Sequence, residues 1–429
     1  MASLTAISTP DVAARKHPLT AYLRNLAVIV VACLLLVARR PSGVLTPVFW
    51  GEDGKVFFAQ QYIRGFSPQE PYNGALYLGQ RLAAWLLSPF PVTWSPALYY
   101  LAACLLAAAA LAVVLQGRAQ ELLGGWWWRA GLLIALVLMP GVNEIQGSIV
   151  NIHWWFAIAL AVVLALPAPA SRWGKAAELA FITIVGLSGF SAPFLLPVAV
   201  WALVRHRSKY LWVRLLLVGT TAAVQVAVAV ASPRKLAQGF PLEHTVMLGT
   251  AIVRRVGGVM LMGHQSVETG WPPHQLSWFY LLAGGFLLGV VVVAIMDRAG
   301  PSPWWLLAGL GFAASVALAN ASESLREVLG STSDGRYFVP LVGMVVLVLW
   351  RGVATGRQTW PRILAGALLC ACVVGWWTDY RLEERKPPGG PADLATFAEC
   401  LRDRDRVCQL RQLPAPRWVV TIPAAKTTR

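Results

Sequence analysis

Long uninterrupted apolar runs constrain this chain more than any other feature. One run, LAVIVVACLLLVA, occupies residues 26–38, and others cover residues 96–116 and 277–296. A bilayer span needs about 20 apolar residues, and several runs approach or exceed that length. Only 13% of the residues are charged, against about 25% in a soluble domain. Because the runs are continuous and do not alternate, they predict an all-α polytopic membrane protein and disfavour a β-barrel.

One apolar segment, residues 76–90, is expected not to cross the membrane. Arg81 lies at its centre, and a central arginine is expensive in hydrocarbon. The segment also ends in the proline-rich stretch SPFPVTWSP, which is typical of a break. We therefore expect this segment to lie partly embedded on the outer side.

The net charge of +16 is best explained by the positive-inside rule, under which cytoplasmic loops are rich in Lys and Arg. No nucleic-acid module is visible in the sequence. If residues 76–90 do not span, the basic loops fall on the cytoplasmic side. The pattern then predicts about eleven spans, with the N-terminus inside and the C-terminus outside. The basic positions that decide this are Arg118, Arg129, Arg172, Lys175, Arg205, Arg207, Lys209, Arg214, Arg351, Arg357 and Arg362.

This topology divides the chain into a cytoplasmic N-terminus (residues 1–23), a transmembrane domain (24–377) and an extracytoplasmic tail (378–429). The predicted outer loops are a large first loop at 39–94 and further loops at 141–151, 232–275 and 320–337. The tail reads as a helix, ADLATFAECL, followed by a short strand in PRWVVTIP. Cys400 and Cys408 lie within it, and an extracytoplasmic tail predicts a disulfide between them. Zinc is the less favoured alternative, because no His or further Cys accompanies them.

The stretch GEDG places two carboxylates, Glu52 and Asp53, just outside the first span and among aromatic residues. One of them can be explained as an acid at the N-terminus of the next helix, where the helix dipole favours negative charge. A carboxylate at this boundary also suits a general base for a hydroxyl group or a ligand of a divalent metal such as Mg or Mn.

The stretch NEIQGSIVNIHWW, residues 143–155, brings Glu144, Asn151 and His153 to the start of an apolar helix. The two tryptophans are ordinary interfacial anchors. A histidine just inside a span is rarer, and a structural hydrogen-bonded role competes evenly with a functional one. On the predicted topology Glu144 lies on the same face as Asp53.

The stretch SDGRYFVP, residues 333–340, places Arg336 at the outer start of a span. The structural explanation is an arginine that extends its charged end towards water. The functional explanation is a phosphate clamp, because the guanidinium offers a planar fork of donors.

Taken together, these stretches make the chain similar to known enzymes. WGEDGKVF, PYNGALYLGQRLAAWL, NEIQGSIVNIHWW, LSGFSAPFLLP and GRYFVP follow one another along most of its length. In this order the chain resembles the C-type (GT-C) membrane glycosyltransferases, particularly their bacterial multi-pass members. The resemblance implies a plasma-membrane enzyme that takes a sugar from a polyprenyl-phosphate-linked donor. The sugar would pass to a glycan or glycolipid acceptor on the extracytoplasmic face.

The resemblance also implies roles for individual residues. The Asp53 carboxylate would act as the general base or help to bind a metal, with Glu52 as the other option. Glu144 would be a second catalytic acidic residue, and Asp53 and Glu144 would be the ligands of any metal. Arg336 would contact the lipid phosphate. The second loop lacks a clear Asp-x-Asp, so metal dependence stays open. Further substrate contacts are expected from Asn151, His153, Tyr337 and Arg81.

Two other functions stay open. A transporter or flippase for a lipid-linked saccharide would use the same acidic and basic residues for binding alone. A non-catalytic factor in envelope assembly is the third option. No P-loop, GxGxxG, HExxH or GxSxG motif is present, so cytoplasmic nucleotide chemistry and serine hydrolysis have no support.

Overall fold

The structure is a computed structural model that describes residues 18–232, 242–269, 277–319, 335–386, 391–403, 405–414 and 418–424. Parts of the predicted outer loops 232–275 and 320–337, and most of the predicted N-terminal segment 1–23, lie outside the described residues.

The described chain is mostly helical. Two short π-helical segments, Asp53–Phe58 and Val253–Gly258, and a 3₁₀ turn, Gly335–Phe338, interrupt or extend the α-helices. The α-helices are α1 (Pro18–Arg39), α2 (Ser42–Leu45), α3 (Ala59–Arg64), α4 (Leu78–Leu87), α5 (Ser95–Leu111), α6 (Gln120–Leu123), α7 (Trp126–Leu138), α8 (Ile152–Ala165), α9 (Arg172–Gly186), α10 (Ala192–His206), α11 (Lys209–Ala231), α12 (Leu242–Ile252), α13 (Val259–Met262), α14 (His264–Thr269), α15 (Ser277–Met296), α16 (Ser302–Ala319), α17 (Val339–Thr355), α18 (Thr359–Ala371), α19 (Val373–Thr378) and α20 (Pro391–Cys400).

The described part of the chain contains seven helices that are long and apolar enough to cross a membrane, or eight if one pair bent by 82° forms a single span. The protein is therefore a multi-pass membrane protein, but the expected count of eleven spans is not confirmed. Two predicted spans form the shorter helices α8 and α10. Because a helix rises 1.5 Å per residue, such helices measure about 21–23 Å, less than the ~30 Å of a hydrocarbon core.

One candidate span falls where the sequence predicted an outer loop. Residues 245–262, within the predicted loop 232–275, form one apolar helical segment that joins α12, the second π-helical segment and α13. This stretch carries two adjacent basic residues, Arg254 and Arg255. In the structure the Arg255 side chain is buried beside the Phe338 ring, and Arg254 donates to the carbonyl oxygen of Val267 at 3.2 Å.

The segment predicted not to span, residues 76–90, forms α4, a helix of ten residues. Its length is about 15 Å at 1.5 Å per residue, roughly half of a hydrocarbon core. This length accords with the expectation that the segment does not cross the membrane.

The core is organised around α8. All fourteen of its residues are buried, and α5, α10 and α17 pack around it. A helix that is apolar on every side belongs in such an interior. Its N-terminal end carries Asn151 and His153, so the most enclosed helix of the protein positions two of the predicted site residues.

The C-terminal tail folds back onto the GEDG stretch. Strands β1 (Cys408–Arg411) and β2 (Val419–Ile422) pair antiparallel, and Cys400 and Cys408 form a disulfide. The N–H of Gly51 donates to the Leu413 carbonyl at 2.6 Å, and the Gln412 side chain donates to the Gly51 carbonyl at 2.5 Å. The tail therefore fixes the backbone immediately before Glu52.

Candidate functional site

A cavity lies at the N-terminal end of α8, where loop residues meet the first turns of several helices. Its volume is about 230 Å³, below the roughly 300–1,000 Å³ of most small-molecule sites. It can therefore enclose only part of a large ligand. The side chains that line it include Glu52, Tyr72, Asn73, Tyr77, Asn151, His153, Trp154, Phe190, Phe194, Phe312, Arg336 and Tyr337.

Five predicted site residues share this cavity: Glu52, Asn151, His153, Arg336 and Tyr337. They come from three distant stretches of the sequence. The cavity therefore places a carboxylate, an amide, an imidazole, a guanidinium and a phenol around one space.

Asp53, the other acid of the GEDG stretch, does not line this cavity. Its side chain is 2% exposed. Its carboxylate accepts hydrogen bonds from the backbone N–H of Val150 at 2.8 Å and of Ile149 at 3.1 Å, and from the Ser148 hydroxyl at 3.3 Å. Asp53 thus holds the turn before α8, and Glu52 is the acid that faces the cavity.

The pKa of Asp53 is raised to about 7 by burial, although the N–H groups of Val150 and Ile149 act in the opposite direction. Glu52 adds to this rise, because a neighbouring negative charge disfavours a second one. The pKa of Tyr72 is also raised, to about 12, by burial and by Glu52. Its hydroxyl donates to a Glu52 carboxylate oxygen at 3.4 Å.

Glu144 lies next to the cavity but does not line it. Its carboxylate accepts a hydrogen bond of 3.0 Å from the backbone N–H of Arg336, and its carbonyl accepts one of 3.3 Å from the Asn151 side chain. Glu144 therefore holds the turn that presents Arg336 to the cavity.

Arg81, predicted as a substrate contact, lies elsewhere. Its guanidinium donates to the Glu70 carbonyl at 3.1 Å and to the Gln60 side chain at 2.9 Å, beside the Phe57 ring. These contacts explain how an arginine is accommodated in the middle of an apolar helix.

His153 has a defined orientation in the cavity wall. Its Nδ1 lies 2.7 Å from the Val150 carbonyl oxygen. Because a carbonyl only accepts, Nδ1 carries the proton and donates. In the neutral imidazole Nε2 is then an acceptor. The ring of Tyr77 meets the imidazole edge to face at 5.7 Å, which fixes the ring further.

The rest of the wall is aromatic. Trp154 packs against Tyr337 at 5.6 Å between ring centroids, and Phe194 packs against Phe312 at 5.0 Å. Such a combination of apolar surface with a few placed polar groups is typical of ligand pockets.

Four buried charged residues were not predicted from the sequence: Arg39, Arg40, Asp379 and Arg385. Arg39 donates to the carbonyls of Val137, Met139, Asp379 and Tyr380, and Arg40 donates to those of Asn143, Gln146 and Glu383. The available signal was the adjacent pair Arg39 and Arg40 at the predicted outer end of a span, where the positive-inside rule does not expect basic residues.

The structure bears on the possible metal site only through the placement of ligand side chains. They contain no group of three or more His, Cys, Asp or Glu side chains placed to hold an ion. Both carboxylate oxygens of Asp53, a predicted ligand, already accept hydrogen bonds from the turn before α8.

No family model, curated protein or solved structure matches the chain.

Proposed function

We propose that this protein is a membrane glycosyltransferase that moves a sugar from a polyprenyl-phosphate-type donor to a hydroxyl of a cell-envelope acceptor. The observation that carries the proposal is the shared cavity. It combines the Glu52 carboxylate, the Arg336 guanidinium and an aromatic wall that includes Trp154. A lipid-linked sugar has an ionic phosphate, a polar sugar and an apolar tail, and each has a chemical counterpart here.

The acceptor hydroxyl is the nucleophile in the proposed step. Glu52 takes its proton, while the oxygen forms a new bond to the anomeric carbon of the donor sugar. The bond between that carbon and the phosphate oxygen breaks, and its electron pair leaves with the polyprenyl phosphate. Arg336 stabilises the charge that develops on the departing phosphate.

Glu52 replaces Asp53 as the proposed base because of their surroundings. Glu52 lines the cavity, and its carboxylate accepts a long hydrogen bond of 3.4 Å from the Tyr72 hydroxyl. Asp53 is buried and accepts three hydrogen bonds from residues 148–150. A general base must reach the proton that it abstracts, and of these two acids Glu52 is the one that borders the cavity.

Packing beneath the cavity favours transfer at a fixed site over transport. Each residue from Ala157 to Ala165 is at most 2% exposed. Transport of a saccharide along α8 would require this helix to separate from its neighbours. A transferase can instead keep the core rigid and admit substrates from one end.

The test uses purified protein, labelled polyprenyl-phosphoryl sugars and a panel of envelope acceptors. Glu52→Gln keeps the shape of the side chain but cannot accept the proton at neutral pH. We expect it to lower transfer by about 10²–10⁴-fold, the usual contribution of general acid–base catalysis. Arg336→Gln is expected to lower transfer as well.

The matched control is Glu70→Gln. Glu70 belongs to the same loop region, forms an ion pair with Arg64 and does not line the cavity. Transfer that persists in Glu52→Gln would contradict the proposed base. If the wild-type protein moves lipid-linked sugar across liposome membranes without forming a glycosidic bond, it is a transporter and the transferase proposal is wrong.

A further inference from the structure

A second cavity lies at the opposite end of the helices that build the first. In α8, His153 borders the first cavity and Ala165 borders the second, about 18 Å away at 1.5 Å per residue. In α10, Phe194 and Arg205 are placed in the same way. The second cavity has a volume of about 590 Å³, within the roughly 300–1,000 Å³ of ordinary ligand sites.

Two arginines in the wall of the second cavity, Arg351 and Arg118, are held by contacts within the protein. Arg351 donates to both carboxylate oxygens of Asp297, at 2.7 and 3.1 Å, and to the Leu122 carbonyl at 2.7 Å. Arg118 donates to the Pro167 carbonyl at 2.6 Å and pairs with Glu178. These contacts hold both guanidinium groups in the cavity wall, each beside a carboxylate.

Three further arginines at the cavity are exposed: Arg205, Arg298 and Arg357. Within the described ranges, none of the three has an ion pair or hydrogen bond. The one other acid at the cavity besides Asp297 is Glu121. The exposed groups therefore leave a net positive charge around a concave space.

Arg207 extends this charge along an adjoining recess, whose lining also includes Arg205 and Arg298. It follows the last residue of α10 and has a φ of +44°. Helices usually end there with glycine, which adopts this left-handed conformation without steric cost. Arg207 occupies this position instead, although glycine would adopt the left-handed conformation with less strain.

Topology alone gives a simpler explanation of these charges, since loops on one side of a membrane collect arginine. Arginine near helix C-termini also complements the helix dipole. Neither effect requires a ligand-sized cavity beneath the charges. Both effects also act at Arg207, so the ligand-sized cavity is the feature that points to a ligand.

We propose that this second cavity binds a phosphate group, held by Arg205, Arg298 and Arg357, with Arg207 at its edge. A guanidinium matches phosphate oxygens with paired donors. The phosphate can belong to the headgroup of an anionic lipid or to a soluble phosphate compound, and both present the same chemistry. This site is separate from the proposed transfer site and does not depend on the reaction there.

The experiment measures binding to the full-length protein in neutral detergent by isothermal titration calorimetry. Inorganic pyrophosphate is the soluble probe, and short-chain phosphatidic acid is the lipid probe. We expect saturable binding of at least one of them. In the Arg205→Gln/Arg298→Gln double variant, affinity should fall by about tenfold or more, as for lost hydrogen bonds to a charged group. Binding of the lipid probe alone would identify a lipid headgroup as the source.

Two variants separate a binding site from general positive charge. Arg172→Gln removes an exposed arginine that lies outside both recesses, and it should leave affinity unchanged. Arg207→Gly relieves the left-handed backbone, so it should match or exceed the wild-type melting temperature while weakening the binding. The proposal is overturned if the wild type binds neither probe, or if Arg172→Gln weakens binding as much as the double variant.

Discussion

The carboxylate of Asp53 accepts a hydrogen bond of 2.8 Å from the backbone N–H of Val150. This contact joins the GEDG stretch to the turn before the buried helix α8. It turns one of two adjacent acids into a structural group and leaves Glu52 as the acid at the cavity.

Removing the Asp53 carboxylate should destabilise the protein. In Asp53→Ala the buried N–H groups of Ile149 and Val150 lose their acceptor, and each unsatisfied group costs about 1–3 kcal/mol. We expect a clearly lower melting temperature in detergent. Glu52→Ala, at a half-exposed position, should change it little. Equal shifts in the two variants would contradict the structural role of Asp53.

The stability of the protein should depend on pH through the same residue. The pKa of Asp53 is raised by burial from an ordinary value of 3.8 to about 7. Between these values the folded state binds more protons at this site than the unfolded state. Stability contributed by Asp53 therefore falls as pH rises through this window and levels off above about pH 7.

Melting temperatures of the wild type and of Asp53→Asn would be compared from about pH 4.5 to 7.5, across the window in which the two states differ in protonation. The wild type should lose stability relative to the variant as pH rises. A difference that is constant, or that changes in the opposite direction, would refute the raised pKa.

Gly189 should control the position of His153. Its φ is +112°, and a Cβ at this position would lie 2.9 Å from the imidazole ring. Gly189→Ala should therefore displace His153 and lower transfer, since a misplacement of about 1 Å can cost about 10²-fold in rate. Transfer assays and melting curves measure the two effects separately.

Gly65→Ala is the matched control. Gly65 also has a positive φ, +71°, but a Cβ there would meet no atom within 4 Å. This variant should show backbone strain without loss of transfer. If both variants lose transfer equally, contact with His153 is not the cause.

Replacing Arg39 by lysine should destabilise the protein. Its guanidinium donates to four carbonyls, including those of Val137 at 2.7 Å and Asp379 at 2.8 Å. A lysine ammonium has three donors and no planar fork, so Arg39→Lys leaves buried carbonyls unpaired at about 1–3 kcal/mol each. Its melting temperature should fall. Arg64→Lys, at an exposed ion pair, should resemble the wild type.

Part of the candidate site could be predicted from the sequence, because several of its residues lie at the ends of apolar segments. Glu52, Asn151, His153 and Arg336 each lie at such an end, and helices that pack together bring their ends together. The contacts of Arg81 and Asp379 could not be predicted in this way. The role of each depends on backbone groups of other segments, such as the Glu70 carbonyl for Arg81 and the Gly141 N–H for Asp379.

The sequence by itself determined that the chain is a multi-pass helical membrane protein, because long apolar runs have no other stable arrangement for their backbone polar groups in lipid. Tertiary structure decided which acid faces the cavity. Glu52 and Asp53 are neighbours of the same charge, and no spacing rule separates them. The difference between the two acids comes from residues 148–150. The Ser148 hydroxyl and the N–H groups of Ile149 and Val150 need a buried acceptor, and the Asp53 carboxylate is placed to accept from them.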